Sequence, residues 1–330
     1  MMTCHSRVIV AAAAIVLAIM FSTMTGVSQT PRSTPAGLDE TSVTLAQIVA
    51  RQRENYARLR SARGEVIWRE DDYAVALPSR KAPLRVVDFA FEGDRSVLFI
   101  VPWDGVSPIP KRGSGFDWTK MMAGCLVEGD WVSMLTMPRG ARQPEVRMTL
   151  YNPAVHDKNP LVSFHPSLLG DERVGLAELL SVAGQMTTRP LVRQSLLNGE
   201  LRLRVDFANP AAPGEFIYYI VNPQKGCLAE DIGRYSGGRL TERAQIIIGK
   251  TKDGVWIPAR RNKTICDTKG RPLHGESWYY RSLDANQKMG SMELSLLYFH
   301  LPEGTRIYGA PSKKDADSTG TKPAQPDLAP

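Results

Sequence analysis

Long apolar runs are scarce in this 330-residue chain, and the longest sits where it addresses the protein rather than folds it. Val8 to Phe21 is about 14 residues, short of the roughly 20 that a membrane-spanning helix needs. Met1 to Arg7 before it is short and basic, and Ser22 to Gln29 after it is small and polar. That is the three-part pattern of a secretory signal peptide over 1–28, with Gly26 and Ser28 as small residues ahead of the cut. The expectation is an exported chain, soluble in the periplasm or outside the cell after cleavage; the alternative is an uncleaved N-terminal membrane anchor. Cys4 precedes the apolar run, so a lipid-modified cysteine at the cut site is not indicated. Cysteine is scarce too. Cys125, Cys227 and Cys266 remain in the mature chain, and an odd count in an oxidising compartment leaves at most one internal bridge. Cys227 with Cys266 is the pair to test, since both fall in the strand-rich C-terminal half; three unpaired thiols are the alternative.

Charge runs are missing as well. The net charge of +7 comes from scattered Lys and Arg, with no block of five or six, which argues against a nucleic-acid partner. A basic balance outside the cytoplasm fits contact with an anionic membrane surface, or simply solubility. No G-x-S-x-G elbow, phosphate-binding glycine loop or H-E-x-x-H helix is present, so none of the chemistry those motifs supply is supported. Asp71-Asp72 and Glu230-Asp231 are adjacent carboxylates, which point to opposite faces of a strand. His156, Asp157 and His165 gather in one segment but match no established zinc spacing. The reading is therefore no metal, no cofactor and no catalytic residue. A hydrolase using Cys125, His156 or His165 is the enzymatic alternative. His300 alternates within an apolar stretch, as a core histidine on a strand does.

What is present is enough apolar content for a real core, 43% against 23% charged. Residues 29–42 read as a flexible leader. Thr44 with Gln47 forms a capping-box pattern, and Leu45, Ile48, Val49, Tyr56 and Leu59 recur at helical spacing, predicting an amphipathic helix over 43–62 that Gly64 ends. The period then changes to two. Val87, Phe89 and Phe91 alternate with charges ahead of a turn at Gly93-Asp94. Leu201, Leu203, Val205 and Phe207 alternate after Asn198-Gly199, a strong hairpin signal. Phe216 to Val221 is apolar on both faces and reads as a covered central strand. Asp253-Gly254 and Lys269-Gly270 mark further turns, and Trp278–Leu283 and Leu294–Phe299 read as the last strands. Residues 102–145 resist placement. Residues 152–190 break the strand pattern as a loop and helix insertion, the helix running from Asp171 to Gly184. From 312 to 330 almost nothing is apolar, which predicts a disordered tail. Short connections between successive strands make the sheet antiparallel.

The order of these elements is similar to that of the periplasmic lipoprotein-carrier superfamily (LolA, LolB and the RseB N-terminal domain). The residues carrying the resemblance are Leu45-Ala46-Gln47-Ile48-Val49 through Leu59 running into Ser61–Trp68, then Lys252-Asp253-Gly254-Val255-Trp256-Ile257-Pro258, and the closing Phe299-His300-Leu301-Pro302-Glu303-Gly304. The resemblance implies an α+β fold: a curved, half-closed antiparallel sheet with the N-terminal and central helices on its concave face, in a single domain at 43–311. It implies non-catalytic binding or transport of a lipid, a lipoprotein acyl chain or another apolar ligand in the cell envelope. The alternating strands supply candidates for the apolar lining: Phe89, Phe91, Leu203, Val205, Phe207 and Phe216. A protein-interaction or sensor module with an envelope protein as partner is the alternative.

Overall fold

The computed structural model describes residues 43–73, 84–111, 116–152, 190–197, 200–208, 212 and 214–309. The expected signal, leader, central helix and tail lie outside these residues, as do His156 and His165.

The helix begins where its box predicts. The Thr44 hydroxyl accepts the Gln47 amide, and the Gln47 side-chain carbonyl accepts the Thr44 amide at 2.8 Å, which satisfies two otherwise orphaned groups at the helix start. Helix α1 spans Leu45–Ala57, shorter than 43–62. The chain is already extended at Ser61, and Gly64 belongs to a strand rather than to the helix end.

The strands are β1 (Ser61–Asp72), β2 (Leu84–Glu92), β3 (Arg95–Trp103), β4 (Ala123–Glu128), β5 (Trp131–Thr136), β6 (Glu145–Leu150), β7 (Leu191–Leu197), β8 (Glu200–Ala208), β9 (Phe216–Asn222), β10 (Leu228–Ser236), β11 (Arg239–Lys250), β12 (Trp256–Cys266), β13 (Pro272–Ala285) and β14 (Arg306–Tyr308). They form one sheet in the order β14-β6-β5-β4-β3-β2-β1-β13-β12-β11-β10-β9-β8-β7. Two antiparallel meanders, β1–β6 and β7–β13, are thus joined along a single seam where β1 pairs β13. Among the described residues β14 and β7 are open edges, so the architecture is an open antiparallel half-barrel carrying one helix. Among the described residues the one parallel pair is β14 on β6.

Turn chemistry explains the local hairpins. Gly93 and Gly129 sit at positive φ in the tight connections after β2 and β4, where a side chain would be strained. Leu197 stands opposite Glu200 across the β7–β8 pair, so the hairpin expected at Asn198-Gly199 is present in its strands; the two turn residues lie outside the described set. The unplaced 102–145 stretch resolves into a 3-10 turn at Trp118–Lys120 followed by β4 and β5.

One expected strand is absent. Leu294–Phe299 forms turns and a 3-10 segment capped by Ser295. Its apolar residues do not alternate toward a strand partner; Leu294 and Phe299 fold down together onto Phe99, Leu126 and Leu135 on one face of the sheet. His300 is consequently exposed at positive φ, not a core histidine.

Cross-strand register sorts the side chains into two faces, because directly opposed residues share a face. Helix α1 lies on one. Its Leu45, Ile48 and Val49 pack with Val205, Tyr219, Val221, Ala244 and Ile246 of the C-terminal meander. Each such buried side chain contributes about 1.5–3 kcal/mol. Polar stitches hold the helix in place: Asn55 donates to the Trp256 carbonyl at 2.7 Å and accepts its amide at 3.0 Å, and Gln52 donates to the Cys227 carbonyl at 2.9 Å. The opposite face is covered over the N-terminal meander by the 289–301 segment. Over the C-terminal meander that face is a surface of ion pairs such as Arg204–Asp206 and Arg243–Asp231.

Candidate ligand-binding face

Five of the six candidate lining residues share the helix-bearing face. Phe89 and Phe91 on β2 pack with Val66, Val87, Leu98, Ile100 and Ile257. Leu203, Val205 and Phe207 on β8 pack beneath α1. All five are buried, Phe89 and Val205 completely. They do not meet, however. The structure divides them between two apolar clusters, one beneath α1 on the C-terminal meander and one centred on β1–β3 that reaches across the seam to Ile257.

Phe216 is placed differently. Strand alternation turns Ile217, Tyr219 and Val221 to the helix-bearing face, so Phe216 lies on the opposite one, stacked on Tyr235 at 4.4 Å. A strand apolar on both sides carries no alternation from which sequence could have assigned its faces.

Along the seam, packed against the second of these clusters, runs a band that sequence reasoning missed. Following the register across the seam, Ile246 opposes Arg261, Arg261 opposes Trp278, Trp278 opposes Trp68, and Trp68 opposes Arg85. The Trp68 and Trp278 rings stack at 4.8 Å, nearly parallel. The Arg85 guanidinium lies 4.1 Å from the Trp68 ring centre, a cation–π contact, and is fixed by Glu70 at 3.0 Å. The Trp278 indole N–H donates to the Glu276 carboxylate. Tyr280, two residues along β13, opposes Val66 and meets the Phe89 ring at 6.1 Å. The Trp68 indole nitrogen and the Tyr280 hydroxyl are both buried without a hydrogen-bond partner. Burial holds the Tyr280 phenol well above its ordinary pKa, so it stays protonated. Trp68 and Trp278 stand about 210 residues apart in the chain, and no local signal predicts their stacking; the strands at Ser61–Trp68 and Trp278–Leu283 were the legible part.

This architecture is similar to that of the LolA superfamily. A LolA superfamily protein from Nitrosomonas europaea matches 78% of this chain and 100% of its own, at 14% identity and a TM-score of 0.41. An outer membrane lipoprotein-sorting protein domain from Vibrio parahaemolyticus, described as putative, matches 78% and 100%, at 9% identity and a TM-score of 0.42. A DUF1329 family protein from Desulfovibrio piger matches 77% and 97%, at 9% identity and a TM-score of 0.41. The likeness is one of fold. No protein-family model and no curated protein sequence matches the chain.

Two cavities of about 260 and 300 Å³ lie on the face away from the helix and share Glu65 and Asp88. Their carboxylates are already engaged: Arg281 pairs Glu65 at 3.1 Å, Tyr298 donates to Asp88 at 2.7 Å, and Arg63 pairs Glu293. The Gly290 amide and Arg63 hold the Glu293 carboxyl below the usual range despite partial burial, so it is ionised and ill-suited to donate a proton. Among the described residues no group of three His, Cys, Asp or Glu is placed to hold a metal, and no helix is long and apolar enough to cross a membrane.

No disulfide forms among the described residues, so Cys227 and Cys266 remain unbridged. Cys125 is buried, and burial pushes its thiol up to about 12; the thiolate a nucleophile requires is therefore scarce near neutrality. Iodoacetamide at mildly alkaline pH is expected to label half-buried Cys266 in the folded protein, and Cys125 and Cys227 only after unfolding. Labelling of folded Cys125 at the rate of Cys266, read by peptide mass mapping, would contradict this and reinstate a reactive thiol.

Proposed function

We propose that the mature chain is a non-catalytic binding or carrier protein of the cell envelope, exported by its signal peptide. It would hold a lipid, a lipoprotein acyl chain or another apolar ligand against the helix-bearing face. One observation carries the reading. That face carries two apolar clusters, joined at the seam by the stacked Trp68 and Trp278 rings among Arg85 and Arg261, yet α1 packs on the C-terminal cluster alone. Burying an acyl chain there contributes about 25 cal/mol per Å² of apolar surface removed from water. In this reading α1 moves as a gate while the sheet remains intact, its apolar side giving way to the ligand's chain. Residues 43–311 form the binding domain in this reading, with 152–190 inserted between the two meanders and 312–330 as a tail. The basic net charge, +7 for the full chain and lower by the one charge of Arg7 after cleavage, suits delivery at an anionic membrane surface.

A photoactivatable fatty acid tests this. The peptides expected to carry the crosslink are those holding Phe89, Phe91, Leu203, Val205 and Phe207. Crosslinking confined to the peptides holding Arg63, Ile109, Glu293 and Tyr298, which line the opposite-face cavities, would reject the assignment. A second reading, a module that binds an envelope protein, is favoured by the open edge of β7, where Leu196 is 74% exposed. Absence of any crosslink would move the assignment to that edge, where an added strand from a partner can pair.

A further inference from the structure

We infer that the Trp68–Tyr280 pair on the β1–β13 seam seats the polar head of the ligand, and that this head presents hydrogen-bond-accepting oxygen, a carboxylate or a phosphate. The inference rests on the carrier reading above and adds the chemistry of the ligand's other end. Buried polar atoms in folded proteins are nearly all paired, and an unpaired one calls for a ligand or a structural reason. Here two lie together on one face of adjacent strands, as diagonal neighbours across the Val66–Tyr280 and Trp68–Trp278 pairs. An indole N–H donates only, so its complement must be an acceptor.

The surroundings explain why the protein itself supplies none. Glu276, the nearest carboxylate on β13, is taken by the Trp278 indole, and Glu70 is taken by Arg85. Arg85 lies over the Trp68 ring, and Arg261, itself buried, stands cross-strand from Trp278. Charge in this band is balanced, Arg85 being paired with Glu70, so it is the two donors that select an acceptor head, and an oxyanion makes the stronger hydrogen bonds for its charge. Both side chains are half-buried while their polar atoms are fully so, so the rings reach the surface. The Tyr280 ring touches Phe89, which leads from the donors directly into the apolar cluster. A head on the seam and a tail along β1–β3 would occupy one continuous path.

The test uses three probes with the same saturated chain: palmitate, palmitoyl lysophosphatidylglycerol and hexadecylammonium, the last a donor-only head. Affinities are measured by displacement of a fluorescent fatty acid from the mature protein. Wild type is expected to bind at least one acceptor-headed probe more tightly than hexadecylammonium, and the tighter of the two names the head as carboxylate or phosphate. Tyr280→Phe should weaken that probe about tenfold, the worth of one hydrogen bond to a charged group, and weaken hexadecylammonium by much less. Tyr280→Phe keeps the ring and removes a hydroxyl that has no partner, so the ligand-free protein should melt no lower than wild type; this separates a lost contact from a lost fold. If wild type binds all three probes alike and Tyr280→Phe changes nothing, the head-group site is wrong and the carrier reading stands. If wild type binds none of them, both fall.

Discussion

Replacing Gly64 with alanine is expected to lower the thermal midpoint of the mature protein by roughly 5 °C, equivalent to about 3 kcal/mol for a chain of this size. Gly64 does not sit at positive φ, so conformational freedom is not the reason. A Cβ there would lie 2.2 Å from the Ser282 carbonyl oxygen and 3.1 Å from the Leu283 Cα, both backbone atoms of β13. Backbone atoms in a paired strand cannot rotate aside as a side chain can. The register shifts at Glu65/Val66, next to this point on the same pair, and among the described residues the β1–β13 pair is the seam that joins the two meanders. The added methyl therefore pries at the one junction on which the whole sheet depends. Gly93→Ala is the control: it carries φ of +61° but meets nothing within 4 Å, so its cost is the conformational term alone, about 1 kcal/mol. A Gly64→Ala protein as stable as wild type would show that the seam is looser than described.

Glu230→Gln should be almost as damaging at neutral pH, by about 3 kcal/mol. Arg202 on β8 has a side chain only 6% exposed, and it donates to the Glu230 carboxylate. Asn222 donates to the same carboxylate at 2.8 Å and Lys225 at 3.3 Å. Removing the anion leaves the buried guanidinium with the exposed Glu200 as its remaining ion-pair partner, at 2.7 Å, and a buried charge stripped of its partner is costly. The pH dependence follows from the same contacts. Burial raises the Glu230 pKa, but Asn222, Arg202 and Lys225 together outweigh it and hold the carboxyl below its ordinary value. A carboxylate lowered on folding contributes stability that is present above its unfolded pKa and lost as pH falls through its folded one. Wild type and variant should therefore differ most near neutrality and converge in acid, as urea unfolding at a series of pH values would read. A gap that stays constant into acid would mean that Glu230 acts through packing rather than charge.

Local features were legible in the sequence and long-range ones were not, and the physical reason differs from element to element. The Thr44–Gln47 box closes within one helical turn, so three residues suffice to place the start of α1. Alternation put Phe89 and Phe91 on one face of β2, and Leu203, Val205 and Phe207 on one face of β8, because each strand has a polar side to set the phase. Phe216–Val221 has no polar side, and its phase was settled only by pairing with β8 and β10, which turned Phe216 outward. Leu294–Phe299 has strand-like alternation without a strand partner; it pads the sheet instead. Above all, the Trp68–Trp278 stack and the two unpaired donors exist only because β1 closes on β13, a contact between segments over 200 residues apart. The most chemically distinctive part of the face is thus the part that sequence pattern alone has no means to assemble.

The central claim, that the helix-bearing face holds an apolar ligand, is tested most directly by mass spectrometry of an organic extract. The mature protein would be purified from an envelope fraction without detergent and extracted in its folded state. A lipid or acylated species at near-equimolar amount is the result this account predicts, and its head group would bear acceptor oxygen. A protein that arrives empty, and stays empty after incubation with lipid, would contradict the account and leave the open β7 edge as the place to look for function.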